Sequence, residues 1–157
     1  LARMARSSGA RLSPSRFAAR LATAFDGEGS YRYGNRWNEP GTRVVYLAST
    51  TSLAALEVLA HAGTPDHLTE FMAVPVAIPQ QLVNDLDGLP ADWRQSPAPL
   101  STRRTGTAWA NSGASAVLRV PSVIVPWEFN FVVNVIHPGF AELELGEARP
   151  FRFDRRL

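Results

Sequence analysis

Short apolar runs, separated by proline and turn residues, dominate the second half of the chain. Residues 114–120 and 122–126 meet at Pro121, and a third run follows at residues 129–136. Runs of this length, rich in valine, isoleucine and phenylalanine, are typical of buried strands. The sequence therefore predicts a fold organised around a sheet, with more strands than helices in this half.

The first half mixes strand and helix signals. Residues 43–48 predict a buried strand, and residues 52–62 predict a helix behind the N-cap candidates Ser49, Thr50 and Thr51. Further expected elements are a helix at 15–25, a loop at 26–41, one or two strands at 68–78, a short helix at 105–113 and a half-exposed strand at 141–145. Together they predict an α+β single domain, with a mixed, mostly antiparallel β-sheet core and flanking helices.

Size and composition limit the classes of protein that fit. The chain has 157 residues, about one ordinary domain, and contains no cysteine, which excludes disulfides, thiolate nucleophiles and cysteine-based metal sites. His61, His67 and His137 show no tight ligand spacing, so no metal site is expected.

No apolar run approaches the roughly 20 residues that span a bilayer, and no signal-peptide pattern opens the chain. We therefore expect a cytoplasmic protein without a membrane partner, and a flexible segment at residues 1–10.

Charge is divided unevenly along the chain. All 16 basic residues are arginines, and the net charge is +5 over residues 1–43, −6 over residues 44–148 and +3 over residues 149–157. Basic ends around an acidic middle fit a site for a phosphorylated small molecule better than a stripe that tracks a duplex. We therefore expect no direct nucleic-acid partner, although the arginine-rich ends keep a nucleic-acid-binding or RNA-cleaving protein as an alternative.

Glu57 is the most informative single residue. In the helix predicted at 52–62, Leu53, Leu56 and Leu59 define an apolar arc, and Glu57 falls inside or at the edge of that arc. A carboxylate there costs several kcal/mol to bury unless it is paired or lies in a cleft. Glu57 is therefore either a site carboxylate or a structural residue that reaches solvent or an arginine.

The loop at residues 27–38 combines glycines, arginines and aromatic residues. Glycine lets the backbone approach a ligand closely, arginine offers forked donors for phosphate, and the aromatic rings can stack on a base. The spacing is not that of a dinucleotide fingerprint and no strand precedes it, so a Rossmann fold is excluded. The alternative is a surface loop whose aromatic side chains pack into the core.

Ser122 is a lone hydroxyl in an apolar stretch, directly after Pro121. It either caps the start of a strand or serves a site. The residues around it lack the nucleophile-elbow pattern, and no histidine is evidently placed as its base. A Ser–His–Asp hydrolase is therefore not expected.

In this order and at these separations, the regions resemble RES-domain toxins, a family named for arginine, glutamate and serine. The resemblance covers residues 11–157, which we take as one RES domain. Two positions depart from the family pattern: Asn35 replaces a glycine of the loop, and Val135 stands where a proline usually follows Asn134. The matching positions are residues 25–30, 34–38, 44–46, 56–59, 118–122 and 153–157, with Leu89, Pro90, Trp93, Gly106, Trp109, Glu128, Asn130, Asn134, His137 and Pro138.

The resemblance implies the toxin of a bacterial toxin–antitoxin system, with an ADP-ribosyltransferase-like fold. Such toxins cleave the nicotinamide–ribose bond of NAD⁺, which is their substrate, and need no further cofactor. They act as glycohydrolases or phosphorylases, and some transfer ADP-ribose to a protein. The implied partner is a helix-turn-helix antitoxin of the Xre type, and a homo-oligomer through the antitoxin complex stays open.

The resemblance also implies which residues form the site. The implied catalytic residues are Arg36, Tyr46, Glu57 and Ser122. The implied NAD⁺-binding residues are Arg11, Arg36, Tyr46, Ser122 and Asn130, with Arg16 competing with Arg11 for the place of an early arginine.

These residue types suit the implied reaction. Cleavage at a ribose passes through an oxocarbenium-like state, which the Glu57 carboxylate would stabilise, while arginines hold the diphosphate. Nicotinamide is a good leaving group, so little acid catalysis is required. Two alternatives to a glycohydrolase or phosphorylase stay open: a protein ADP-ribosyltransferase, and an inactive interaction module in which Glu57 is a structural ion-pair partner.

Overall fold

The computed structural model describes residues 9–62, 68, 70–154 and 156–157. Within these residues, nine strands and three α-helices form the predicted α+β domain. The strands are β1 (Arg11–Leu12), β2 (Ser15–Ala18), β3 (Val44–Ala48), β4 (Glu70–Pro79), β5 (Val83–Asp85), β6 (Val117–Pro121), β7 (Phe129–Asn134), β8 (Glu144–Leu145) and β9 (Arg149–Arg152). The helices are α1 (Glu28–Tyr33), α2 (Thr51–Ala62) and α3 (Leu100–Ser112).

The strands form one mixed, mostly antiparallel sheet. β4 is the longest strand and pairs antiparallel with β1, β2, β8 and β9. From β2 the sheet continues through β3, β7 and β6, each antiparallel to its neighbour, and β5 joins parallel to β6. In the centre, the register places Asn130 of β7 opposite both Ala48 of β3 and Val120 of β6.

Alternating side chains of β3 enter cores on opposite faces of the sheet. Val45 and Leu47 pack with Val133 of β7 on the first face. Val44 packs on the second face with Val132 and with other buried residues. The central strands are therefore apolar on both faces, which explains why they read as continuous apolar runs.

Helices α2 and α3 cover the second face. Leu53 of α2 packs in a cluster with Ala48, and Ala110 of α3 packs in a cluster with Val44. Ala48, Tyr46 and Val44 lie on one face of β3 because they are two residues apart. Tyr46 and its cross-strand neighbours therefore lie on the face to which both helices pack.

A close backbone contact joins α3 to the loop that follows α1. A Cβ atom at Gly106 would lie 1.8 Å from the carbonyl oxygen of Trp37, so glycine is required for α3 to approach the loop. One position further along α3, the Thr107 hydroxyl accepts a hydrogen bond from the backbone N–H of Glu39 at 2.9 Å. Helix α3 therefore fixes the position of this loop.

The strand predicted at 43–48 and the helix predicted at 52–62 are confirmed. The helix predicted at 15–25 is wrong, because β2 pairs between β3 and β4 and a 3-10 turn follows it. The strand predicted at 122–126 is also wrong, because Ser122 starts a turn. Smaller differences are that α1 lies in the predicted loop, β4 is one strand, α3 begins at Leu100, and a 3-10 turn at Pro138–Glu142 precedes the two-residue strand β8.

Two of the sequence predictions fall on residues outside the described ones. They are the flexible segment at residues 1–10, except for Gly9 and Ala10, and the position of His67. Among the helices that the structure describes, none is long and apolar enough to cross a membrane.

Candidate active site

Glu57 of α2 contacts two side chains that come from different parts of the sheet. Its Oε1 atom accepts a hydrogen bond from Nδ2 of Asn130 at 2.6 Å and lies 3.4 Å from the hydroxyl of Ser122. Glu57 is half-buried, whereas Ser122 is fully buried. Three of the residues that the sequence analysis selected therefore meet around one carboxylate oxygen.

The start of α2 is held in place by hydrogen bonds from both sides. The Thr50 hydroxyl accepts from the backbone N–H of Leu53 at 3.0 Å, which caps the helix. The same hydroxyl and that of Ser49 donate to Oε2 of Glu128, at 2.7 and 3.1 Å. Because α2 begins directly after β3 and is tied to the chain before β7, Glu57 has a fixed position above the sheet.

Ser122 combines the two roles that its sequence left open. Its hydroxyl oxygen accepts hydrogen bonds from the backbone N–H groups of Ile124 and Val125, both at 3.1 Å. The oxygen is thereby committed as an acceptor, so its one proton can point toward Glu57. Ser122 therefore shapes the turn after β6 and also contacts the carboxylate.

Tyr46 connects β3 to the loop before it. Its hydroxyl accepts a hydrogen bond from the backbone N–H of Trp37 at 3.0 Å and donates to Oδ1 of Asn38 at 2.9 Å. Burial raises the pKa of the Tyr46 hydroxyl well above its ordinary value, which keeps it protonated. Tyr46 therefore fixes the position of the loop together with α3.

Arg36 lies at the start of this loop segment. One terminal nitrogen, Nη1, donates to the backbone carbonyls of Trp93 and Gln95, both at 2.9 Å. Burial lowers the pKa of the guanidinium, the nearby Glu57 carboxylate raises it, and the neighbouring Arg103 lowers it again. Arg36 is therefore held by carbonyls, and both the carboxylate of Glu57 and a second arginine act on its charge.

That second arginine, Arg103, was missed by the sequence analysis. It lies on α3 one turn before Gly106 and Thr107, the positions that contact the loop of Arg36. The signal was present in the helical spacing of residues 103, 106, 107 and 110, which share one face. It could not be recognised without knowing that this face packs on the loop.

The two early arginines are placed differently. Arg16 of β2 donates from Nε to the carbonyl of Ala24 and from Nη1 to the carbonyl of Tyr46, the latter at 2.9 Å. Arg11 of β1 forms an ion pair with Glu144 at 2.7 Å and lines a groove away from Glu57. No hydrogen bond or ion pair among the described residues joins either arginine to Glu57, Asn130 or Ser122.

The site offers one carboxylate and two guanidinium groups on the same face of the sheet. A carboxylate that accepts only part of its hydrogen-bonding capacity can face a sugar hydroxyl or a developing positive charge. Guanidinium groups bind phosphate oxygens through paired N–H donors. Within the described residues, no group of three histidine, aspartate or glutamate side chains could hold a metal ion.

Comparison with known proteins gives a consistent result. Residues 8–154 match the RES domain. The chain is 40% identical over 141 residues to a protein of Yersinia enterocolitica named Toxin Res, an alignment that covers 87% of this chain and 92% of the relative. It is 33% identical over 141 residues to the Prs ADP-ribosylating toxin of a Sphingobium species, covering 87% and 88% of the two chains.

A solved structure has the same fold. It is a chain of the MbcT–MbcA toxin–antitoxin complex of M. tuberculosis, with a TM-score of 0.73 at 21% sequence identity, covering 92% of this chain and 86% of that chain. The likeness confirms the expected fold, a single α+β domain of the ADP-ribosyltransferase-like kind.

Proposed function

The chain belongs to the RES-domain family, and we propose that it is the toxin of a toxin–antitoxin system that consumes NAD⁺ by breaking the nicotinamide–ribose bond. The observation that carries the proposal is the contact of Glu57 with Asn130 and Ser122, on the face of the sheet where Arg36 is also held. NAD⁺ is the substrate, and the proposal requires no further cofactor. It also places the protein in the cytoplasm, where NAD⁺ is present.

Glu57 would act on the ribose of the nicotinamide half. Its carboxylate accepts a hydrogen bond from a ribose hydroxyl and faces the positive charge that develops as the bond from C1′ to the nicotinamide nitrogen breaks. The bonding electrons leave with nicotinamide, which becomes neutral. Water or orthophosphate then attacks C1′ and loses a proton, giving ADP-ribose or its phosphate ester.

Asn130 and Ser122 would position this carboxylate. The Asn130 amide donates to Oε1, which leaves the second oxygen of Glu57 available to a ligand. A carboxylate fixed in this way needs no reorientation when the ribose charge develops, which is the main source of electrostatic catalysis. Arg36 would bind a phosphate group and hold the dinucleotide in register with Glu57.

The reaction is tested with purified protein and NAD⁺, with and without orthophosphate, by mass spectrometry of the products. We expect free nicotinamide together with ADP-ribose, or with phosphorylated ADP-ribose when phosphate is the acceptor. Glu57→Gln serves as the control that retains size and hydrogen bonding. Absence of nicotinamide release from the purified wild-type protein would contradict the proposal.

A protein acceptor is the second candidate, because one relative is named an ADP-ribosylating toxin. In that case the ADP-ribosyl group passes from C1′ to a nucleophilic side chain of another protein, and nicotinamide leaves as before. Incubation of a bacterial extract with biotin-labelled NAD⁺ distinguishes the two. Label that remains on protein after denaturation, and depends on Glu57, favours the transferase over the glycohydrolase or phosphorylase.

An antitoxin of the Xre helix-turn-helix type would inhibit the protein. We propose that its C-terminal segment enters the NAD⁺ site, where an acidic or carboxylate-ended peptide complements Arg36. NAD⁺ and antitoxin should then compete, and an antitoxin shortened at its C-terminus should bind without full inhibition. A complex that turns over NAD⁺ at the rate of the free protein would refute this arrangement.

A further inference from the structure

Helix α3 brings a second guanidinium to the wall of the site. Gly106 lies against the carbonyl of Trp37 and Thr107 binds the backbone of Glu39, so the face of α3 that carries Arg103 packs on the loop of Arg36. Arg103 is close enough to act electrostatically on both Arg36 and Tyr46. The packing of α3 on this loop therefore places two arginines that are distant in sequence in the same part of the structure.

Arg103 is a half-buried arginine whose Nε atom lies in the interior. Its Nε atom is buried and has no hydrogen-bond partner, and no described residue forms an ion pair or hydrogen bond with its guanidinium. Buried donors are nearly always paired, and a buried N–H without a partner destabilises the folded state. The packing of α3 thus leaves one buried N–H of Arg103 without a partner in the free protein.

The position of Arg103 within α3 is also unfavourable. Arg103 lies in the first turn of the helix, where the macrodipole is positive and cations are unfavourable. The first turn contains no acidic residue, and no side chain caps the helix at Pro99. The carboxylate of Asp92 contacts this turn through the Ser101 hydroxyl, so the positive charge that an anion would neutralise is that of the guanidinium groups of Arg36 and Arg103.

We propose that Arg103 and Arg36 together form an oxyanion subsite that binds a phosphate group during the reaction. Two guanidinium groups match the oxygens of a phosphate through several N–H donors, and Arg36 retains unused donors because only its Nη1 is bound to carbonyls. The phosphate comes either from the diphosphate of the dinucleotide or from free orthophosphate. The assignment rests on the proposed function for the identity of the substrate, but its binding test does not require turnover.

The test compares Arg103→Gln with Arg104→Gln, which removes the exposed arginine next to it on the same helix. For Arg103→Gln we expect the KM for NAD⁺ and the Kd for ADP-ribose to rise about tenfold, since a charge-assisted contact is lost. The kcat should change less than twofold, and the melting temperature should stay equal or rise. Arg104→Gln should match the wild type in all of these.

Further measurements distinguish the diphosphate of NAD⁺ from free orthophosphate as the ligand of the subsite. They also distinguish failure of the subsite from failure of the proposed function. An unchanged KM for NAD⁺ with loss of the dependence on orthophosphate would assign the subsite to the acceptor. If the wild type releases no nicotinamide, the proposed function fails. Calorimetric titration with ADP-ribose requires no turnover, so it still tests whether Arg103 and Arg36 bind a phosphate group.

A structural role would give a different pattern. Arg103→Met keeps the volume of the buried stem and serves as a second variant if Arg103→Gln folds poorly. Wild-type affinity for ADP-ribose and wild-type response to orthophosphate in either folded variant would overturn the subsite. So would a lower melting temperature in both variants with ligand binding unchanged.

Discussion

Two half-buried arginines, Arg16 and Arg103, lie in contrasting surroundings. Arg16 donates to the carbonyls of Ala24 and Tyr46, and its guanidinium lies 5.9 Å from the ring centre of Phe25. Burial lowers its pKa to about 10, so it stays charged at neutral pH. Arg103 donates to no carbonyl of the described residues, and its buried Nε has no hydrogen-bond partner.

Tyr46 links the two regions. Its backbone carbonyl accepts from Arg16, while its hydroxyl holds the loop at Trp37 and Asn38 on the side of Arg36. The contrast teaches that burial alone does not identify a binding residue. A guanidinium whose donors are used by the fold stabilises the fold, and one whose donors are unused is available to a ligand.

The largest effect should follow from changing Glu57, the carboxylate of the site. Glu57→Gln keeps the contact to Asn130 but removes the negative charge, and we expect turnover of NAD⁺ to fall by about 10² or more, roughly 2.7 kcal/mol. The rate of nicotinamide release measures the effect on turnover, and a melting curve measures the effect on stability. Near-normal turnover with lower thermal stability would mean that Glu57 is a structural residue.

A large effect on stability, without one on binding, should follow from Arg16→Met. The change leaves two carbonyls without their donor, which costs about 2 kcal/mol and lowers the melting temperature by roughly 4–8 °C. The KM for NAD⁺ should stay within twofold of the wild type. An unchanged melting temperature with a raised KM would reverse the comparison and make Arg16 the early NAD⁺-binding arginine.

Arg36→Lys tests whether Arg36 binds NAD⁺ through its planar guanidinium, because the positive charge is retained. Lysine lacks the planar fork and cannot hold two carbonyls and a phosphate at once, so we expect the KM for NAD⁺ to rise about tenfold, or about 1.4 kcal/mol. Calorimetry of NAD⁺ binding to Arg36→Ala is a stronger test, because this variant also loses the charge. If that variant binds NAD⁺ as tightly as the wild type, Arg36 makes no contact with the dinucleotide.

The smallest effect should come from an arginine whose partner is an exposed carboxylate. Arg119 pairs with Asp85 at 2.6 Å, and the aspartate side chain is 65% exposed. Arg119→Gln should cost about 0.5 kcal/mol, decreasing as salt is added, because exposed ion pairs contribute little. A loss as large as that of Arg16→Met, measured by denaturant titration, would show that the kind of partner, backbone carbonyl or exposed carboxylate, is not what separates these arginines.

The sequence predicts the carboxylate side of the site better than the arginine side. Glu57 follows from local patterns, since a strand, an N-cap and a helical arc are all encoded within residues 43–62. The resemblance to the family then adds Ser122 and Asn130, which the structure brings to within hydrogen-bond distance of Glu57.

The rest depends on contacts between distant segments. Residues 15–18 carry the spacing of a weak helix, but pairing with β3 and β4 decides that they form β2. A role for Arg103 in the site can be inferred only from the contact of Gly106 with Trp37, which no local pattern encodes. The same holds for the ion pair of Arg11 with Glu144.

A crystal structure of the Glu57→Gln variant with NAD⁺ tests the central claim most directly. We predict the nicotinamide ribose within hydrogen-bond distance of residue 57, close to Asn130 and Ser122, and the phosphates against Arg36 and Arg103. Dinucleotide in the groove of Arg11 and Glu144 instead, with the second face of the sheet empty, would contradict the account.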